Sequence, residues 1–152
     1  RSSDLLLAGV LWLASLGAAR ADVASARAAF EQAEALIGQG RFDEAQKLAA
    51  SVTRADDYAR TYGAFVDGRL AEATGRLTLA RDIYRAILNT HPGLARVRLH
   101  LARVLTQLED ADAARRHYDF VLGAPDIAAP LAERVRTDVR ALEGMKRWSA
   151  QG

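Results

Sequence analysis

The feature that most constrains the fold is a set of apolar residues that recurs at one fixed interval. Three residues of one segment return 34 residues later: Ala80, Tyr84 and Leu88 reappear as Ala114, Tyr118 and Leu122. Self-similarity at an interval of this length is typical of repeat proteins, in which each unit buries its apolar face against its neighbours. The sequence therefore predicts a stack of repeated units.

Each unit reads as two helices joined by a short break. Apolar residues fall at steps of three and four, as at Phe30, Ala33 and Ile37, which keeps one helical face apolar. Half of the residues are hydrophobic but only 7% are aromatic. The apolar mass is therefore mostly Ala, Leu and Val, a mixture that favours helices over strands.

The interval and the turns resemble those of the tetratricopeptide repeat. Gly40 precedes Ala45 by five residues and Gly75 precedes Ala80 by five, as in the G-x-Y/F-x-x-A turn of that repeat. Glycine tolerates the backbone angle between the two helices, and alanine lets them approach closely. The third unit departs from the pattern, with Glu109-Asp110 in place of glycine.

We therefore predict an all-α fold, an α-solenoid of about three tetratricopeptide helical hairpins plus a C-terminal capping helix. The repeat domain covers residues 22–147, with repeats at about 26–60, 61–94 and 95–128 and the capping helix at 130–147. A capping helix is expected because the end of a repeat stack needs a polar outer face. Its predicted apolar stripe consists of Leu131, Val135, Val139, Leu142 and Met145.

The first 21 residues read as a signal peptide. Leu5–Ala19 contains no charge, and Ala19-Arg20-Ala21 has the small-x-small pattern of a cleavage site. These 15 apolar residues fall short of the roughly 20 that a membrane-spanning helix needs. An uncleaved anchor is the weaker interpretation. Export predicts a domain that folds outside the cytoplasm.

A closer resemblance lies in three stretches of the C-terminal half, namely residues 90–103, 113–118 and 147–149. They resemble the N-terminal periplasmic domain of the surface lipoprotein assembly modifier family. The resemblance implies a periplasmic domain at the inner face of the outer membrane, engaging a lipoprotein substrate or a chaperone. It also implies that residues 148–152 lead into a C-terminal outer-membrane β-barrel of the same protein. The alternative is a free-standing exported adaptor that organises cell-envelope proteins.

The first helix of each hairpin is expected to line the surface on which a peptide lies. Aromatic and apolar side chains there receive apolar groups, and arginines pair with carboxylates. The predicted peptide-binding groove consists of Tyr62, Phe65, Arg69, Arg96, Leu99, His100 and Arg103. The alternative interpretation is that these arginines are solvated or pair with neighbouring acids, as Arg69 would with Glu72.

Several function classes have no support in the sequence. The chain contains no cysteine, and its three histidines lack metal-ligand spacing and a neighbouring nucleophile. Its glycines form no nucleotide-binding motif, and a net charge of +2 gives no basic stripe for nucleic acid. We predict a protein that is not an enzyme, has no cofactor or metal, and binds protein or peptide segments but no nucleic acid.

Overall fold

The computed structural model describes residues 22–152, which form helices and short connections without a strand. The predicted signal peptide, residues 1–21, lies outside the described residues. The helices are α1 (residues 22–38), α2 (Phe42–Ser51), α3 (Asp57–Ala73), α4 (Leu77–Thr90), α5 (Ala95–Gln107), α6 (Ala111–Leu122) and α7 (Ala129–Ser149). The predicted all-α fold of helical hairpins is confirmed. None of these described helices is both long enough and apolar enough to cross a bilayer.

Three hairpins, α1–α2, α3–α4 and α5–α6, share one turn. In each turn a backbone N–H bonds the carbonyl five residues earlier, which is the long hydrogen bond of a Schellman motif. These bonds are Arg41 N to Leu36 O (2.9 Å), Arg76 N to Ala71 O (2.8 Å) and Asp110 N to Leu105 O (2.9 Å). The turn therefore repeats in its hydrogen bonds as well as in its sequence interval.

The residue before each of these N–H donors adopts the left-handed conformation. Gly40 has φ = 75°, Gly75 has φ = 77° and Glu109 has φ = 63°. The predicted departure of the third unit is thus confined to sequence, since Glu109 adopts the angle that glycine adopts elsewhere. The Asp110 side chain accepts a hydrogen bond from Ala113 N at 3.2 Å and so caps α6, whereas Arg41 and Arg76 provide no side-chain cap.

The described chain divides into two compact units, residues 22–66 and 67–152, with the boundary inside α3. The first unit buries Phe30, Ala33, Ala45, Ala49 and Val66. The second buries Tyr84, Leu101, Leu105, Tyr118 and Val121. The alanines that follow the three turns, Ala45, Ala80 and Ala114, are fully buried, as expected for positions where two helices approach closely.

One close approach depends on a glycine within a helix. A Cβ added to Gly68 of α3 would lie 2.5 Å from Cε1 of Tyr84 in α4. The Tyr84 side chain is fully buried, and its ring centroid lies 6.1 Å from that of His100 in α5. Gly68 thus lets a large ring fill the space between its own hairpin and the next one, the role predicted for Tyr84.

The last helix packs against α5 and α6 with a shorter apolar stripe than predicted. Ala132, Val135, Val139 and Leu142 are buried, but Leu131 is only partly buried and Met145 is half exposed. The prediction that Met145 belongs to the buried stripe is wrong, because this end of α7 is fastened by polar contacts instead. Three ion pairs join α7 to its neighbours: Arg103–Asp138 (3.1 Å), Arg115–Glu143 (2.6 Å) and Lys146–Asp112 (2.7 Å).

Glu109→Gly should stabilise the protein by about 0.5–1 kcal/mol. A left-handed residue with a Cβ costs roughly 1–2 kcal/mol, and the greater freedom of glycine in the unfolded chain offsets part of the gain. Urea unfolding measures the difference. The matched variant Gly75→Glu should destabilise by a similar amount. A loss of stability in Glu109→Gly would contradict this interpretation of the turn.

Gly68→Ala should destabilise the protein by about 1–3 kcal/mol, because the new methyl group overlaps the buried Tyr84 ring. Gly144→Ala is the matched control. A Cβ at Gly144 in α7 meets no atom within 4 Å, so helix propensity should make that variant neutral or stabilise it by about 0.5–1 kcal/mol. Equal effects of the two changes in thermal or urea unfolding would show that Gly68 carries no packing role.

Candidate functional site

The two aromatic residues of the predicted groove belong to the first unit. Tyr62 is half-buried, and its hydroxyl donates to Glu34 Oε1 at 2.7 Å. Its ring centroid lies 5.1 Å from that of Phe30 and 5.8 Å from that of Tyr58. Phe65 is buried, so it contributes to packing more than to an accessible surface.

Tyr58 is the aromatic side chain that the sequence interpretation missed. It is 40% exposed and meets Tyr62 edge to face, one helical turn earlier on α3. The spacing of four residues places both rings on the same side of the helix. That spacing was the available signal, and it makes Tyr58 the more accessible ring of the pair.

The second unit contains a polar cluster around Glu72. The Tyr84 hydroxyl donates to Glu72 Oε2 at 2.8 Å, and His100 Nδ1 lies 3.0 Å from the same oxygen. Arg69 Nε lies 3.9 Å from it. Glu72 therefore links α3, α4 and α5 through one carboxylate oxygen. The sequence suggested only its pairing with Arg69.

The surroundings set the ionisation of both titratable partners. Burial raises the pKa of Glu72, but hydrogen bonds from His100 and Tyr84 and the charges of His100 and Arg69 outweigh it, so the net pKa is lowered. Burial lowers the pKa of His100, and the charges of Arg69 and Arg103 lower it further, against the opposing influence of Glu72. Near neutral pH the pair is therefore a carboxylate that accepts a hydrogen bond from a neutral imidazole.

The α5 residues of the predicted groove differ in accessibility. Arg96 is exposed, while Leu99 and His100 are buried. The Arg103 side chain is 26% exposed and its Nε donates to Asp138 Oδ2 of α7 at 3.1 Å. The seven predicted residues thus comprise one exposed arginine, three half-buried residues and three buried ones. That they contact a peptide remains a prediction.

The described residues offer little for catalysis or metal binding. Residues 22–152 contain no group of three or more metal-ligating side chains placed to hold an ion. In the same part of the chain, no buried side-chain nitrogen or oxygen lacks a hydrogen-bond partner. The polar cluster is thus internally satisfied, as expected of a structural network. That the protein is not an enzyme remains a prediction.

Comparison with known proteins supports the fold. No protein-family model matches the chain, and no curated protein matches it. A solved chain in the "Crystal Structure of a T3SS complex from Aeromonas hydrophila" is similar with a TM-score of 0.64 and 20% sequence identity, over 81% of this chain and 83% of that chain. Similarity at this identity establishes a shared helical fold, and the resemblance to the surface lipoprotein assembly modifier family remains a prediction.

The free energy of unfolding should decrease as the pH falls. The folded pKa of His100 lies below the ordinary 6.5, so the unfolded chain binds this proton more tightly and acidification through 6.5 favours unfolding. The folded pKa of Glu72 lies below the ordinary 4.5, so further stability is lost as the pH falls through 4.5.

Urea unfolding at a series of pH values measures this dependence. His100→Gln should flatten the curve near pH 6.5, and Glu72→Gln should flatten it below pH 4.5. An unchanged curve in His100→Gln would show that this imidazole does not titrate differently in the folded and unfolded chains.

Proposed function

We propose that this chain is a non-enzymatic protein-binding repeat domain that works in a secretion-related assembly. The observation that carries the proposal is the turn shared by three hairpins at Gly40, Gly75 and Glu109. Repeated hairpins present rigid helical faces, and such faces recognise peptide segments without chemistry. The similar chain from a T3SS complex of Aeromonas hydrophila supports this context, since it shares the fold over most of its length.

The more specific proposal is the periplasmic part of an outer-membrane lipoprotein translocator that engages a lipoprotein substrate or a chaperone. Its support lies in the sequence, in the signal-like residues 1–21 and in the resemblance carried by residues 90–103, 113–118 and 147–149. The second candidate is a free-standing exported adaptor that organises cell-envelope proteins. The similar chain, which belongs to an assembled complex, favours a docking role of that kind.

The accessible recognition group on α5 is Arg96. Arg103 follows it by seven residues, two helical turns along the same face. The contact with Asp138 fixes Arg103, so a ligand carboxylate meets a guanidinium whose position is already set. A flexible arginine and an ordered one on one helical face suit a partner segment with acidic side chains.

Site-specific photo-crosslinking in cells tests the proposal. A photoreactive residue at position 96 should crosslink to an envelope protein, whereas one at position 140, which is exposed on α7, should not. Crosslinks to a lipoprotein or to a periplasmic chaperone support the translocator. Crosslinks to other envelope proteins support the adaptor. Equal crosslinking at the two positions would contradict a recognition role for this face of α5.

With the crosslinked partner in hand, Arg96→Glu should weaken its binding by about tenfold or more, because charge reversal leaves like charges facing each other. Arg140→Glu makes the same change in charge and should leave the affinity nearly unchanged. Titration calorimetry measures both constants, and thermal unfolding should show both variants folded. A uniform loss would point to general attraction between charges.

A further inference from the structure

A second charged surface lies on the other side of α5 from Arg96. Arg98 is two residues further along, and successive helical residues turn by about 100°, so the two arginines point about 200° apart. Arg98 lies between the loop before α5 and helix α6. It belongs with Arg85 of α4 and with Arg116 and His117 of α6, and we refer to these four residues as the outer basic patch.

Arg98 is held in place by three contacts. Its Nε donates to the carbonyl oxygen of Pro92 at 2.8 Å, and its Nη1 lies 3.3 Å from Nδ1 of His117. Its guanidinium carbon lies 3.8 Å from the centroid of the Phe120 ring, a cation–π contact. None of these contacts neutralises its charge. Phe120 is itself 44% exposed and borders the patch with an apolar edge.

The positive charges of the patch converge on His117. Burial lowers the pKa of His117, and the charges of Arg98, Arg116 and Arg85 lower it further. The imidazole is therefore neutral near neutral pH and accepts a hydrogen bond from Arg98. Positively charged side chains from three helices, α4, α5 and α6, thus lie close enough together to act on one group.

The acids of these helices are engaged elsewhere. Asp82 pairs with Arg81 at 3.0 Å, Asp119 pairs with Arg115 at 2.9 Å, and Asp112 pairs with Lys146 at 2.7 Å. The charge of Arg116 also reaches Asp112, which is committed to that lysine. Within residues 22–152, no carboxylate lies within ion-pair distance of Arg85, Arg98 or Arg116, although most neighbouring arginines have one.

We propose that the outer basic patch binds an acidic segment of a partner protein. Like charges gathered on one surface repel one another, and an anionic ligand removes that repulsion. The patch is an open face spread over three helices, so several carboxylates along a chain fit it better than one small ion does. The exposed edge of Phe120 gives such a segment an apolar contact beside its charges.

Fluorescence anisotropy with a labelled peptide of alternating glutamate and glycine and one central leucine tests the proposal. Arg85→Glu/Arg116→Glu should weaken binding to the full chain by about tenfold or more. The matched control Arg134→Glu/Arg147→Glu makes the same change in net charge on exposed positions of α7 and should change binding by less than about threefold. Thermal unfolding of both variants should show that each remains folded.

Three results would overturn the proposal: no binding of the peptide, equal weakening by the two double variants, or complete displacement of the peptide by inorganic phosphate at matched ionic strength. The first leaves the patch without this ligand, the second reduces the effect to net charge, and the third assigns the patch to small anions. The outcome is independent of the function proposed for Arg96, since neither double variant changes that residue.

Discussion

The structure depends first on the hydrogen bond that closes each hairpin turn. The N–H of Arg41, Arg76 or Asp110 reaches back five residues, and this is feasible only when the residue before it is left-handed. The turn fixes the angle at which the second helix leaves the first. The buried alanines at 45, 80 and 114 then lie where two helices can meet without a gap.

Packing beyond the turns relies on a polar contact inside an apolar setting. Glu72 accepts from Tyr84 and faces His100, so one carboxylate oxygen is shared by groups from the same hairpin and from the next. Removing one partner would leave a buried charge less well satisfied, which costs more than a missing methyl group in the same place. This dependence is why both ionisable groups are shifted from their ordinary pKa values.

The sequence predicted the architecture well because the fold is written in periodic positions. The interval linking Tyr84 to Tyr118 and the glycines at 40 and 75 each follow from a local requirement that one residue type meets. Glu109 escaped that logic, since a left-handed angle can be adopted by a strained residue. The site was harder to predict: side chains on a helical face look accessible in sequence, yet Leu99 and His100 are buried, because accessibility depends on which neighbour covers them. Arg98 was missed because only the folded chain shows that it lacks a carboxylate.

The Tyr84–Glu72 pair has a counterpart that differs in one respect. Tyr118 stands 34 residues after Tyr84, and Thr106 stands 34 residues after Glu72. Tyr118 hydrogen-bonds Thr106, so the later hairpin keeps the aromatic ring and replaces the carboxylate with a hydroxyl. Hairpins of near-identical shape could otherwise associate out of order or exchange with those of a second molecule. An acid that is satisfied only beside His100 gives this hairpin an identity, and it penalises assembly in the wrong sequence.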